Sequence, residues 1–467
     1  MKIHILGICG TFMSGIALLA KQLGHEVVGS DLNIYPPMSI ELCERGIPIL
    51  DGYKPEYIDA EIDCVIVGNV IKRGNSAIEY VLNNKIPYCS GPAWLASQVL
   101  KNRFVLAVSG THGKTTTTSL LTWILEVAGL SPGFLIGGIP ENFGLSARLG
   151  EKPYFVIEAD EYDSSFFDKR SKFLHYSPDV LIFNNLEYDH ADIFPNLQAI
   201  KQQFHYLIKT LPSNGLIVRH AKDTNVDDVI NMGYWSKTIS FGCEGDWQAK
   251  LIEPDGSVFS VSFQGKQIGK VKWDLLGEHN VENALAAIAA AYQINIAPEN
   301  AIAALTSFKN VKRRLELKGE VKGIAIYDDF AHHPTAIFKT LNGLRAKIGD
   351  KGRLIAVLEF GSYTMKNGYH KEELHHALGS ADLVYCKTPT VDFGLKPVLA
   401  TFKKPTFLYD DVDLIVKNLV KELTRGDHVV IMSNAAFGGI HQKLLDAICI
   451  VLWLSSVFLL IIAQSFI

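Results

Sequence analysis

Residues 109–117 read Ser-Gly-Thr-His-Gly-Lys-Thr-Thr-Thr, directly behind the apolar run 104–108 and ahead of a helix-forming stretch over 118–127. A strand, a glycine-bearing loop and a helix in that order make a phosphate cradle. Gly110 and Gly113 let backbone N–H groups curl around a polyphosphate, Lys114 adds a point charge, and the Thr115 hydroxyl reaches Mg²⁺. The loop is shorter than the common G-x-x-x-x-G-K-[ST] form, so the flanking strand and helix carry the reading. Such a loop belongs at the carboxyl edge of a parallel sheet, which directs the chain towards an α/β fold.

A chain of 467 residues predicts about three domains. Its 45 Lys plus Arg against 49 Asp plus Glu give no global attraction to nucleic acid or anionic lipid, so an anionic ligand needs a local site. The seven cysteines are scattered, with no C-x-x-C spacing, which predicts neither a disulfide framework nor a zinc knuckle and suits a reducing cytoplasm. The first residues run straight into a strand pattern without the basic start and cleavage site of a signal peptide. Residues 447–467 carry no charge and are almost wholly apolar. That length suffices for a bilayer-spanning tail anchor, tethering an otherwise cytoplasmic protein to the inner membrane; the plainer alternatives are a buried terminal helix or a coding accident that extends the chain past Asp446.

The pattern divides into three segments, 1–100, 101–312 and 313–446. In the first, strand 2–6 leads through Gly7, Gly10 and Gly15 into a helix, and a second strand ends at Asp31, where an acidic residue meets a ribose in dinucleotide-binding units. The spacing departs from G-x-G-x-x-G, so a tight packing turn is the competing reading and a hydride-transfer cofactor a weak one. In the second, strands 154–159 and 180–184 end in Glu158-Ala159-Asp160-Glu161 and Asn185-Leu186-Glu187-Tyr188-Asp189-His190. Both clusters fall on the carboxyl edge beside the phosphate loop, where hard oxygen ligands can share Mg²⁺ with ATP phosphates; solvated loop carboxylates are the plainer alternative. Residues 247–274 read as hairpins with a turn at Asp255-Gly256. A helix then places Asn280 and Asn283 on one face, two amides able to pair with adenine or to cap. Lys312-Arg313-Arg314 opens the third segment, a second Rossmann-like sheet with strands 325–327, 354–358, 383–385 and 429–432. Its first strand runs into Asp328-Asp329-Phe330-Ala331-His332-His333-Pro334, where ribose binding by Asp329 competes with helix capping; adjacent histidines diverge and rarely share one ion.

Taken together and in order, Gly110-Thr111-His112-Gly113-Lys114-Thr115-Thr116, Glu158-Ala159-Asp160-Glu161, Asp189-His190, His279-Asn280 with Asn283, Arg313-Arg314 and Asp329 with His332-His333-Pro334 resemble the Mur ligases. The turn 7–13 and the stretches 167–173 and 440–444 are similar to the branch that recycles wall peptide. The resemblance implies three α/β domains: an N-terminal Rossmann-like UDP-binding domain, a central P-loop ATPase with a parallel sheet, and a C-terminal Rossmann-like domain. It implies an ATP- and Mg²⁺-dependent amide ligase joining UDP-N-acetylmuramate to L-alanyl-γ-D-glutamyl-meso-diaminopimelate through an acyl phosphate, in peptidoglycan recycling. Residue by residue, the phosphate loop 110–116 cradles ATP, and Lys114 stabilises the transferring phosphoryl group. Thr115, Glu158 and His190 hold Mg²⁺; Asn283 meets adenine, Asp329 the ribose and Arg314 the γ-phosphate. Gly7, Gly10, Thr11, Gly15 and Asp31 face the UDP part. Lys201, the nearest match to the carbamylated lysine of other branches, stays outside the site.

Three departures stand out. Gly361 and Tyr363 lie where the relatives carry arginine and asparagine, and glycine cannot imitate a bidentate carboxylate binder. Ala435-Ala436 replaces a glycine pair, at a cost of roughly 1 kcal/mol or more each if the backbone there is left-handed. The apolar tail is the third. They keep two alternatives open: a UDP-N-acetylmuramate:L-alanine ligase, which 171–173 argues against, and a catalytically degenerate, membrane-tethered UDP-muramyl binding protein.

Overall fold

The computed structural model describes residues 1–59 and 61–449. The apolar tail expected at 447–467 therefore lies, from residue 450 onwards, outside the described residues. Ala447 and Ile448, counted with that tail, pack instead among Ile440, Leu444 and Val416 of a buried cluster, so the core runs past Asp446. Among the described residues no helix is long and apolar enough to cross a membrane.

Three sheets carry the chain, each with helices between its strands, as expected of the α/β class. The first is wholly parallel, with β1 (Lys2–Leu6), β2 (Glu26–Asp31), β3 (Ile49–Asp51), β4 (Cys64–Val67) and β5 (Tyr88–Ser90) in the order 3-2-1-4-5. The strand order reverses between β1 and β4, and the crevice at such a switch point is where open α/β sheets bind ligands. Helix α1 (Thr11–Gln22) follows β1.

The second sheet has ten strands: β6 (Phe104–Ser109), β7 (Pro132–Leu135), β8 (Ala147–Arg148), β9 (Glu151–Glu158), β10 (Val180–Phe183), β11 (Leu216–His220), β12 (Lys237–Phe241), β13 (Trp247–Leu251), β14 (Val258–Phe263) and β15 (Lys266–Lys272). Their order is 15-14-13-12-11-10-6-9-7-8. Strand β6 sits between β10 and β9, both parallel to it. The phosphate loop after β6 is thereby flanked by the two acidic strand ends read from the sequence. Fully apolar strands such as Val180–Phe183 are buried on both faces, which is why they lack alternation. Strands β13–β15 form the expected hairpins and extend this sheet antiparallel.

The third sheet orders β16 (Glu316–Val321), β17 (Ile324–Asp329), β18 (Leu354–Leu358), β19 (Leu383–Lys387), β20 (Thr406–Tyr409) and β21 (His428–Met432) as 16-17-21-18-19-20. Its first strand is β16, an antiparallel edge that the pattern reading passed over because its residues are charged and half-exposed. By contact density the chain forms two compact units, Met1–Glu253 with Ser257–Asp274 and His279–Lys312, and Arg313 onwards with Pro254–Gly256 and Leu275–Glu278.

Candidate active site

The phosphate loop is held open by glycine geometry. Gly110 has φ +128°, and a Cβ there would meet the Asn185 backbone at 2.9–3.0 Å; Gly113, at φ +81°, caps helix α2 (Lys114–Val127), and its Cβ would sit 2.5 Å from Asn283 Oδ1. No larger residue fits either place without displacing backbone or a packed amide. The segment after β10 braces the loop: Thr111 N and His112 N donate to Asn185 O and Oδ1 at 3.1 and 2.8 Å, and the Thr111 hydroxyl donates to Glu187 O. His112 Nε2 lies 2.9 Å from Glu187 Oε2. Asn184 Nδ2 donates to Thr117 Oγ1 at 2.9 Å, and Thr116 is buried at the start of α2.

Two carboxylates at the end of β9 divide the work. Glu158 Oε1 accepts from the Thr115 hydroxyl at 3.0 Å and its Oε2 from Gly137 N at 2.7 Å, which places hydroxyl and carboxylate together as hard donors suited to Mg²⁺. Glu161 lies between two cations, with Lys114 Nζ 3.1 Å from Oε2 and His190 Nε2 3.4 Å from Oε1. Lys114 also donates to Gly110 O at 2.7 Å. The sequence reading grouped His190 with Thr115 and Glu158; in the structure His190 Nε2 lies 3.4 Å from Glu161 Oε1, a residue which that reading left without a role. Within Glu-Ala-Asp-Glu only the strand end decides which carboxylate turns inward, and no periodicity reports it.

Burial alone would push Glu161 up, but the Lys114 charge and the His190 hydrogen bond hold it down at about 2. Burial would likewise lower Lys114, yet Glu161, Asp160 and Glu158 keep it above its ordinary value. His190 is raised because the Glu161 bond and charge outweigh its desolvation. Glu161 and Lys114 are thus both charged at neutral pH: one ammonium ready for a phosphate, its counter-charge already in place.

A cavity of about 370 Å³ opens at the switch point of the first sheet. Gly7, Gly10, Thr11 and Asp31 line it, together with residues 68–70 after β4. Asp31 shapes it by accepting from Cys9 N at 2.9 Å and the Tyr53 hydroxyl at 3.3 Å. Burial, then Asp31, pushes the Cys9 thiol up to about 12, so it stays protonated. Gly15 lies inside α1, where a Cβ would meet Leu135 and Ala147 at 3.0–3.4 Å, and it is not among the residues lining the cavity. Ser164 and Lys172, from the second sheet's connections, complete the wall. Lys172 carried no role in the sequence reading, since nothing in its spacing ties it to residues 160 positions away.

Other expected residues are placed as follows. Asn283 packs against Gly113, with its Nδ2 3.4 Å from Asn280 Oδ1, so the amide pair stands at the phosphate loop. Lys201 pairs with Asp228 at 2.6 Å and is committed there. In the second unit, Asp329 accepts from Leu315 N and Ala331 N, both at 2.7 Å, and from the Thr340 hydroxyl at 3.3 Å, which leaves one acceptor position, on Oδ2. Arg314 lies over the Phe330 ring at 5.1 Å. Arg313 donates to Ser433 O and Ala435 O at 2.7 and 2.9 Å. His333 caps helix α3 (Pro334–Ile348), its Nδ1 accepting from Thr335 N at 3.3 Å. The condition for strain at Ala435-Ala436 is not met: Ala436 has φ −75°, and the left-handed backbone begins at Phe437 (φ +45°) and continues through Gly438 and Gly439. A Cβ on Gly361 would collide with Asn434 Oδ1, a buried oxygen without a partner among the described residues.

Family models match almost the whole length: a Mur ligase family catalytic domain over 2–103, a Mur ligase middle domain over 108–291, and a Mur ligase glutamate ligase domain over 313–435. The chain belongs to the Mur ligase family. It is 53% identical to the UDP-N-acetylmuramate–L-alanyl-γ-D-glutamyl-meso-2,6-diaminoheptandioate ligase of Escherichia coli K12, covering 96% of this chain and 98% of that one. The murein peptide ligase structure from Psychrobacter arcticus superposes with a TM-score of 0.76 at 46% identity, over 96% and 98% of the two chains. A UDP-N-acetylmuramate–alanine ligase from Thermotoga maritima gives TM-score 0.80 over 96% and 98%, and at 23% identity it shares the Mur ligase fold alone.

Proposed function

We propose that this Mur ligase joins UDP-N-acetylmuramate to L-alanyl-γ-D-glutamyl-meso-diaminopimelate at the expense of ATP, in the cytoplasm, as a step of peptidoglycan recycling. Full-length identity above 50% to ligases of that specificity carries the substrate assignment. The observation that carries the chemistry is the Thr115–Glu158 pair beside Lys114 on the loop that a phosphate would fill.

Lys114 and the N–H groups of residues 110–116 hold the phosphates of ATP, the ammonium exchanging Gly110 O and Glu161 for phosphate oxygens. Thr115 and Glu158 are the residues that would hold Mg²⁺, with His190 reaching it directly or through water; the metal would neutralise the charge developing on the transferred phosphoryl group. Gly7, Gly10, Thr11 and Asp31 form the cavity that takes the UDP part. The muramyl carboxylate attacks the γ-phosphorus, ADP leaves, and the amine of the peptide displaces phosphate from the acyl phosphate to form the amide. Arg314 would meet the γ-phosphate, Asn283 the adenine side of the loop, and Asp329 the ribose through its remaining acceptor position.

The test is phosphate release and product mass from purified protein with ATP, Mg²⁺ and UDP-N-acetylmuramate, with tripeptide or L-alanine in parallel. Product with the tripeptide alone is expected. Product with L-alanine alone would transfer the protein to the alanine-adding reaction, and ATP binding without product from either would leave a binding protein.

A further inference from the structure

Lys172 is a buried ammonium without a hydrogen-bond acceptor among the described residues. Its side chain is 8% exposed, and its nearest carboxylate oxygen, Asp160 Oδ2, stands at 3.7 Å, beyond hydrogen-bond reach. The rest of its surroundings are aromatic faces: Nζ lies 4.7 Å from the Phe12 ring centroid and 5.1 Å from that of Tyr162. Cation–π contacts of this kind hold the charge in place but satisfy none of its three N–H donors. A desolvated ammonium with idle donors is costly unless an anion arrives to meet it. Lys172 lines the 370 Å³ cavity, together with Ser164 and the Gly-rich turn.

The position of this cation relative to the phosphate loop narrows the anion. Asp160 stands between the two lysines, with Oδ1 3.8 Å from Lys114 Nζ and Oδ2 3.7 Å from Lys172 Nζ. Lys172 is therefore the part of the cavity wall tied to the phosphoryl-transfer centre, and Phe12, over which it lies, opens helix α1 at the Gly-rich turn. An anion that must lie both in the cavity and next to the γ-phosphate of ATP is the carboxylate that becomes phosphorylated.

We propose that Lys172 binds the lactyl carboxylate of the UDP-muramyl substrate and aims it at the phosphate held by Lys114. This rests on the function proposed above. The ammonium donates to one carboxylate oxygen while the other attacks the γ-phosphorus; the bond from that phosphorus to ADP breaks, ADP leaves with the electron pair, and the lysine keeps its proton beside the acyl phosphate. Asp160 and the two rings orient the lysine, and the Lys172 backbone N–H donates to Tyr162 O at 2.8 Å, fixing the segment against the Tyr162 ring.

Lys172→Met keeps the alkyl volume and removes the charge. Calorimetry on the full chain compares UDP-N-acetylmuramate with UDP-N-acetylglucosamine, which lacks the 3-O-lactyl group that carries the carboxylate. The expected result is a roughly 10–100-fold weaker affinity for the muramyl compound and an unchanged affinity for the glucosamine compound. Equal weakening for both would assign Lys172 to the diphosphate and overturn the proposal, as would no change for either. Lys172→Arg, which keeps the charge, should recover part of the muramyl affinity. Should Lys172→Met fail to fold, the wild-type protein and the lactyl methyl ester of UDP-N-acetylmuramate decide the matter: an ester bound as tightly as the acid overturns it. A wild-type protein that does not bind UDP-N-acetylmuramate removes the function and this inference together. A wild-type protein that ligates while Lys172→Met matches it removes the inference alone.

Discussion

Glu161 and Lys114 form a buried ion pair at 3.1 Å, with Glu161 only 3% exposed, and the same carboxylate reaches His190 on its other side. A phosphate-binding lysine is thus stored against an internal counter-ion. The counter-ion compensates the ammonium before nucleotide arrives and must release it afterwards, so Glu161 trades stability of the nucleotide-free state against phosphate affinity.

Glu161→Gln removes that counter-charge and leaves Asp160 as the nearer remaining anion. The variant should be less stable by about 3 kcal/mol in chemical denaturation, because one member of a buried pair has been deleted. Saturating ATP, whose phosphates replace the lost charge, should restore part of the difference. A variant as stable as the parent without nucleotide would show the pair to be unimportant.

The Thr115–Glu158 contact at 3.0 Å predicts a metal-dependent phenotype. Thr115→Val and Glu158→Gln should each raise the Mg²⁺ concentration for half-maximal phosphate release by about 10–100-fold. UDP-N-acetylmuramate affinity, measured without ATP, should not change. Titration curves that coincide with the wild type would exclude both residues from metal binding.

Gly113→Ala combines a left-handed backbone at φ +81° with a Cβ placed 2.5 Å from Asn283 Oδ1. Strain of at least about 1 kcal/mol arises from the backbone alone. ATP affinity should fall by 10-fold or more on the order of the reshaped loop's lost N–H contacts, each worth about 1 kcal/mol. Adding Asn283→Ala should relieve the side-chain collision but not the backbone strain, so the double variant recovers only part of the binding.

The first sheet carries its own acid sensitivity. His4, buried in β1 with Nε2 3.0 Å from Ser30 Oγ, is lowered to about 4, chiefly by burial and against weaker opposing effects of Tyr57 and Asp59. Its folded value lies below the unfolded 6.5, so the stabilisation is complete above pH 6.5 and is lost as pH falls towards 4. The size of that loss is about 3 kcal/mol. His4→Leu should flatten the change in denaturation midpoint between pH 7 and pH 4.5, and an unchanged slope would acquit His4.

Much of the site was legible because loop chemistry is local. Gly110, Gly113, Lys114 and Thr115 act within six residues, on a turn whose strand and helix announce themselves by apolar runs, and the strand ends at Glu158 and His190 follow from alternation of strands and helices. The close approach of Leu135 to Gly15 was not legible, because a glycine that admits a ligand and one that admits a side chain look alike in one dimension. Whether Ala435 is strained stayed open for the same reason, since φ belongs to the folded loop, whose left-handed backbone begins at Phe437.

What the sequence determined by itself is the class of fold, the phosphate loop and the family, all of which rest on short-range patterns in which neighbouring residues share one element. Tertiary structure decided which carboxylate answers Lys114 and that Lys172, 58 positions further along the chain, joins the cavity of the first sheet to the loop of Lys114 through Asp160. Those are choices of distance in a buried, low-dielectric space, where a change of a few ångströms decides whether a charge is paired, and only the packing of one sheet connection against another sets such distances.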